Sequence, residues 1–258
     1  VYLADRVLPM LPERLSNDLC SLRPGEDRLA MTVEMTFDAR GRLQGAVPYP
    51  SVMRSRVRLS YDEAQALLDG GAGVAEDAVA RAAEEGVDLC EVLRLADELA
   101  RLRAQVRSRR GAIDFDTVEV HALMGSDGEP RDLVARHRTA ATALVEEAML
   151  VANECVASWL VRRDLEAVYR VHEPPTPEHL QAAAAALAEL GIVDRGRALA
   201  IAAGEIPAMR AALADVAGTP EAELVNALLL RAMQRAVYRP QNLGHYALGA
   251  ATYCHFTS

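Results

Sequence analysis

The sequence predicts an α+β fold, with mixed, mainly antiparallel sheets packed with a long buried central helix and surrounding helices. Three observations predict it. Two stretches alternate apolar and polar residues on either side of a turn, the pattern of a β-hairpin. One stretch of about 25 residues is apolar around well over half its circumference at helical spacing, the mark of a buried helix. The segments around these, above all towards the C-terminus, are Ala- and Leu-rich with helical period. The 258 residues are 51% hydrophobic and 25% charged, enough apolar mass for a sizeable core.

Residues 1–28 are irregular, punctuated by Pro9, Pro12 and Pro24. Val7, Leu8, Met10, Leu11, Leu19 and Leu22 predict a packed loop there. "RLAMTVEMTFDARGRLQGAVPYPSV" predicts strands near 28–37 and 42–49 around a "DARG" turn, and "RSRVRLS" a third strand. In "SYDEAQALLDGG", Ser60 is an N-cap with Glu63 three residues on, and Gly70 follows the end. Residues 74–86 form either a helix or a surface excursion. Residues 88–108 carry Leu89, Val92, Leu93, Leu95, Leu99 and Leu102 at helical spacing. "TVEVHALMGSDGEPRDLVAR" is a second hairpin turning at "GSDGE".

"RTAATALVEEAMLVANECVASWLVRR" is the central helix. It nevertheless carries Glu146, Glu147, Asn153 and Glu154. Glu147 and Glu154 share a face, roughly 10 Å apart along the axis. A buried carboxylate needs a partner, so each either caps backbone, pairs with an arginine or meets a ligand. "EAVYRVHEPP" then predicts a strand. "TPEHLQAAAAALAEL" predicts a helix capped by Thr176 with Pro177 at its first position. Residues 195–235 read as helical, broken near Gly204 and Gly218. No repeat or low-complexity linker appears, so no domain boundary is expected within 1–258.

Net charge is −9, which counts against retention on nucleic acid by bulk positive charge. Arg54, Arg56 and Arg58, and Arg101, Arg103, Arg107, Arg109 and Arg110, are either local basic paths or solvated faces. Cys20, Cys90, Cys155 and Cys254 are widely spaced without a CxxC pair, which argues for reduced thiols and a cytoplasmic protein rather than zinc or disulfides. No apolar run is long enough to cross a bilayer. "GGAG" lacks the Lys-Ser/Thr of a phosphate loop, and no GxSxG or HExxH is present. Cys155, on an apolar helix face, reads as core rather than as a nucleophile served by His172.

Taken in order, "YLADRVLPMLPERLSNDLCSLRPGEDRLAMTVEMTFDARGRL", "SYDEAQALL", "RSRRGAIDFD", "LVEEAMLVANECVASWL", "AVYRVHEPP" and "LGHYALGAATYCHFTS" resemble successive blocks of the ribonuclease II and ribonuclease R family. The resemblance spans nearly the whole chain and is weakest at 70–90 and 190–235. It implies that 1–258 is the central portion of a single RNB exoribonuclease catalytic domain, truncated at both ends. The implied activity is processive, Mg²⁺-dependent 3′→5′ hydrolysis of single-stranded RNA to nucleoside 5′-monophosphates. Tyr2 and Tyr61 match the family's base-stacking aromatics; a stack contributes about 1–3 kcal/mol and tolerates any base. Glu146 and Glu147, with Glu147 preferred, match the glutamate set against the terminal nucleotide. The Phe expected to sandwich the last base has no clear counterpart; Ala122 aligns there, with His121 beside it. The metal-binding aspartate cluster is expected before Val1 and the catalytic arginine after Ser258, so neither catalytic nor metal residues are expected within the chain. Flanking OB/S1-type RNA-binding domains are implied in the full protein. The alternative is a catalytically inactive RNB-like RNA-binding protein, to which the Ala122 position lends weight.

Overall fold

The computed structural model describes residues 7–71, 73–115, 119–125 and 129–257. The first sheet is an antiparallel hairpin of β1 (Asp27–Phe37) and β2 (Leu43–Arg54), running from Asp27 opposite Arg54 to Phe37 opposite Leu43. Its turn is set by Asp38, whose Oδ1 accepts from the backbone N–H groups of Arg40 and Arg42 at 2.9 Å each. The Arg42 N–H is the leading reason that the Asp38 carboxyl sits below its usual range. Gly41 occupies the left-handed region at φ +70°, and a Cβ there would stand 2.6 Å from that of Leu102. The position therefore accepts only glycine, for conformation and for space. Along β2, Pro48 and Pro50 sit at alternate positions, where a missing donor suits an outer edge. One face of this hairpin is apolar: Leu29, 90% exposed, lies opposite Val52, and Met31 opposite Pro50.

Helix α1 (Tyr61–Leu68) begins with a complete capping box. The Ser60 hydroxyl accepts from the Glu63 N–H at 3.2 Å, and the Glu63 carboxylate accepts from the Ser60 N–H at 2.7 Å. Residues near 74–86 resolve into a helix, α2 (Glu76–Glu84). Next come α3 (Leu89–Arg110) and the antiparallel pair β3 (Glu119–Met124) and β4 (Pro130–Arg136). The "GSDGE" turn is only partly among the described residues.

The central helix is α4 (Ala140–Val161). Thr139 and Thr142 cap its start reciprocally, each backbone N–H donating to the other's hydroxyl at 2.8 and 3.3 Å. The Ala141 N–H donates to Oε1 of Gln65 on α1 at 3.1 Å, satisfying another donor that the helix leaves open. After β5 (Tyr169–Val171) come α5 (Pro177–Glu189), α6 (Arg195–Ala202), α7 (Ile206–Asp215), α8 (Ala222–Ala232) and β6 (Val237–Arg239), which pairs antiparallel with β5. Thr176 caps α5 with Pro177 at its start, and Gly204 and Gly218 follow α6 and α7, as the sequence leads one to expect.

The chain forms two compact units, Val1–Leu102 with Val118–Ala148 and Arg103–Thr117 with Met149–Ser258. The second holds the main core, where Leu187, Ile201, Met209, Val225 and Leu229 of α5 to α8 have no exposed surface. Short antiparallel sheets and many helices make this the α+β class that the patterning predicts.

Three expectations differ. Residues 7–22 are not packed: Leu8, Met10, Leu11, Leu19 and Leu22 are exposed, and the short π-helical turn Arg14–Leu19 buries none of its residues. "RSRVRLS" adds no third strand. Ser55 makes one bridge to Pro24, Arg56 turns to Glu85 at 2.9 Å, and Ser60 is spent on capping α1. Strand β6 is additional; its Val-Tyr-Arg is exposed on both faces and carries no alternation to read.

Leu187→Ala should lower unfolding free energy by about 2–5 kcal/mol, the cost of a buried cavity. Leu190→Ala, on an exposed position of the turn after α5, should change it by less than about 0.5 kcal/mol. Urea unfolding followed by circular dichroism separates the two.

Candidate functional site

The anticipated site residues fall as follows. Tyr61 is the first residue of α1 and is 49% exposed. One turn on, on the same face, Gln65 makes the bond to Ala141 that ties α1 to α4. Glu147 lies on α4 and is 3% exposed, while Glu146 faces outward and pairs with Arg138 at 2.9 Å. The two candidates are thus separated by orientation, and the inward carboxylate is Glu147. Ala122 lies on β3 opposite Leu133. Tyr2 lies outside the described residues.

The arginine runs are largely neutralised. Arg54 pairs with Asp27 at 2.6 Å, Arg101 with Asp97 at 2.6 Å, and buried Arg107 with Asp114 at 2.6 Å. Arg110 forks onto Glu154 at 2.8 and 2.6 Å and also donates to the Leu248 carbonyl. Glu154, flagged as a carboxylate on an apolar helix, is thereby explained as an ion pair.

Asn153, 3% exposed, has a larger role than its place in the sequence suggests. Its Oδ1 accepts from the N–H groups of Phe256 and Thr257 at 2.9 and 2.8 Å, and from the Thr257 hydroxyl at 3.1 Å. Its Nδ2 donates to the Tyr253 hydroxyl at 3.0 Å. Backbone N–H groups only donate, so they fix which end of the amide is oxygen. The Cys254 thiol donates to the Asn153 carbonyl at 3.6 Å. The "YCHFT" segment, Tyr253 to Thr257, is therefore held along the central helix by one side chain and its own carbonyl.

Beside this clamp, rings from distant positions form a chain of contacts. His172 stacks on His245 at 4.9 Å between centroids. His245 meets Tyr253 edge-on at 5.3 Å, Tyr253 meets His255 at 5.9 Å, and His255 meets Tyr238 at 5.5 Å. The Tyr238 hydroxyl bonds His255 Nδ1 at 2.7 Å, and the Arg170 guanidinium lies 4.7 Å over the Tyr238 ring. His172 is a fixed neutral tautomer: the Ala247 N–H donates to Nδ1, so Nε2 carries the proton given to the Gln234 carbonyl. Burial pushes His172 below its ordinary pKa, and burial with the neighbouring His172 pushes His245 down to about 4. A scan for paired histidines misses this cluster, because His172, His245 and His255 meet only through the fold. The density of rings in "GHYALGAATYCHF" is the sequence signal that could have found it.

Cys155 is buried, and burial lifts its thiol to about 11, far from a thiolate nucleophile. Among the described residues no group of three or more His, Cys, Asp or Glu side chains is placed to hold a metal ion. Mg²⁺ takes oxygen ligands, and both nitrogens of His172 are already committed, so the ring cluster does not fit it. No helix among the described residues is long and apolar enough to cross a membrane.

Comparison with known proteins bears on all of these residues. The family model described as "RNB domain" matches residues 1–258. The chain is 40% identical to Ribonuclease R of Aquifex aeolicus, covering 100% of this chain and 35% of that protein. It thus spans about a third of the length of the curated relatives it matches. Among solved structures it resembles Mycoplasma genitalium RNase R in complex with ribose methylated single-stranded RNA, with TM-score 0.81 and 29% identity over 97% of this chain and 37% of that one. It also resembles yeast Ssd1, a pseudonuclease, with TM-score 0.68 and 17% identity over 100% of this chain and 30% of that one; at that identity the likeness concerns the fold alone.

Asn153→Ala removes the acceptor of two backbone donors and a hydroxyl. At about 1–3 kcal/mol per unsatisfied buried group, and about 2–4 °C per kcal/mol, the two backbone donors alone should lower the melting temperature by at least about 4 °C. A fall below about 2 °C in calorimetry would mean that water replaces the clamp. A second expectation concerns acid. His172 and His245 have folded pKa values below the unfolded 6.5, so the unfolded chain binds more protons in that window. Their contribution is complete above pH 6.5 and is lost as pH falls towards about 4. His245→Gln should flatten the decline in urea midpoint between pH 6.5 and about 5.

Proposed function

The chain belongs to the RNB-domain family, and from that premise we propose that it is the central portion of the catalytic domain of a 3′→5′ exoribonuclease. The protein as a whole hydrolyses single-stranded RNA processively to nucleoside 5′-monophosphates, with Mg²⁺, in the cytoplasm. The observation that carries this reading is the family match over every residue, joined to 40% identity with a Ribonuclease R. The magnesium-binding aspartates, the catalytic arginine and OB/S1-type RNA-binding domains are assigned to polypeptide flanking 1–258. The described residues themselves offer no cluster that would hold the metal.

What this chain supplies is grip and placement. The Tyr61 ring, half exposed at the start of α1, offers a face to a nucleobase. Stacking needs only a π-surface, so it holds RNA without reading its sequence, as a degradative enzyme requires. Tyr2 provides the second such ring, next to the terminal base. Glu147 is an acceptor on the inward side of α4, suited to the hydroxyls of a ribose. Glu146, engaged with Arg138, is left out of this role.

A second reading has one observation in its favour. Ala122 stands where the family places a ring against the last base, so the chain could belong to an RNA-binding relative that does not cut. Full-length protein incubated with 5′-labelled single-stranded RNA and Mg²⁺ decides between them. Products shrinking to a short limit fragment support the nuclease; intact RNA that is retained in a filter-binding assay supports the second reading.

Within the nuclease, Tyr61→Ala should weaken RNA binding by about 1–3 kcal/mol, or roughly 5–150-fold in Kd. Tyr2→Ala should lengthen the limit fragment on a sequencing gel. Glu147→Gln should slow turnover while the melting temperature stays within about 2 °C of wild type; a larger fall would make Glu147 a folding residue instead.

A further inference from the structure

Arg170 differs from the other half-buried arginines of its unit, Arg197 and Arg210, whose guanidinium groups reach Asp215 and Ser108. Arg107, Arg110, Arg197 and Arg239 each lie against a carboxylate: Asp114, Glu154, Asp215 and Glu173. Arg170 is half-buried, set on β5 between buried Tyr169 and Val171, and no carboxylate among the described residues lies within ion-pair distance of it. Its one recorded side-chain contact is the ring of Tyr238, its cross-strand partner. A cation held on an aromatic face keeps its N–H fork for something else.

Two neutral donors accompany it. The His245 Nδ1 accepts from the Leu248 N–H at 3.4 Å, so its proton is on Nε2, which has no partner among the described residues. The His255 Nδ1 meets the Tyr238 hydroxyl at 2.7 Å; with that hydroxyl donating, the ring proton is on Nε2, which is left for an outside group. His245 and His255 both touch Tyr253, and His255 touches the ring on which Arg170 rests. Burial, together with the Arg170 charge, holds both imidazoles below their usual pKa, so each remains a neutral donor at pH 7. Glu173, three residues on, and Glu154 already have arginine partners.

One permanent cation with two neutral N–H donors and no competing carboxylate matches a singly charged, oxygen-rich ligand. We propose that Arg170, with the Nε2 edges of His245 and His255, is a binding site for a backbone phosphate of single-stranded RNA. That the phosphate belongs to RNA rests on the exoribonuclease reading; that the site takes a phosphate does not.

The test uses full-length protein in EDTA, so that RNA stays intact, and measures anisotropy of a labelled single-stranded RNA across a salt series. Each phosphate contact to a single strand contributes about 0.7 to the slope of log K against log salt. Arg170→Gln should reduce the slope by about that amount and weaken binding about tenfold at low salt. Arg170→Lys keeps the charge and should keep the slope. His255→Gln should weaken binding about threefold at unchanged slope, since it removes a neutral donor. A wild-type slope in Arg170→Gln overturns the proposal. Should that variant melt more than about 5 °C below wild type, His255→Gln decides, and wild-type affinity there overturns it. Absence of RNA binding by the wild-type protein would fell the exoribonuclease reading instead. Calorimetric titration with inorganic phosphate then decides the site: heat in wild type but not in Arg170→Gln upholds it, and no heat in wild type sinks it.

Discussion

A carboxamide inside an apolar helix is tolerable only if each of its polar atoms is satisfied, and the second unit is organised around one that is. Asn153 cannot turn over, because two backbone donors face its oxygen and a tyrosine hydroxyl faces its nitrogen. Nor can it turn outward without leaving those donors in a dry environment, where each costs more than a hydrogen bond returns. The result is a rigid link between the middle of the longest buried helix and the last described residues of the chain. Tyr253, gripped by the same amide, carries the constraint into the ring cluster, and Cys254 repeats it through the helix backbone.

The ring cluster shows how dielectric environment can set charge without a counter-ion. Three imidazoles and an unpaired guanidinium in one neighbourhood would repel strongly if all were charged. Desolvation instead keeps the imidazoles neutral and leaves Arg170 as the single cation. A neutral imidazole beside a fixed charge is a donor whose geometry is held by its other nitrogen, as the Nδ1 contacts of His172 and His245 show. Such an arrangement is suited to recognition, since no proton need move when a ligand arrives.

Features encoded in neighbouring residues were legible in the sequence. The Ser60 and Glu63 box, the Thr176 and Pro177 start, and the Asp38 to Arg42 turn each follow from residues within five positions of one another. The burial of α4 followed from period alone, and its family blocks were specific enough to name. "RSRVRLS" misled because alternation between arginine and aliphatic residues imitates a strand even when the chain has other uses for those backbone groups. Apolar side chains at 7–22 implied packing that the described residues do not supply. Glu146 and Glu147 could not be ranked securely from the sequence, because neighbours on a helix differ by about 100° and only the fold shows which way is in. Asn153, Arg170 and the histidines were hidden for a different reason: their partners lie as many as 104 positions away.

The paired prolines of β2 carry a consequence for how this hairpin tolerates insertions and deletions. Because pleat direction repeats every two residues, Pro48 and Pro50 keep their ring nitrogens on the outer edge only while the count from the Asp38 turn keeps its parity. Loss or gain of one residue between them and the turn would swing both ring nitrogens inward, facing carbonyls with nothing to offer, and would carry Val52 to the opposite side from Leu29. Length changes in pairs would preserve the phase. The hairpin therefore has a parity rule written into it by two residues that cannot donate a ladder bond.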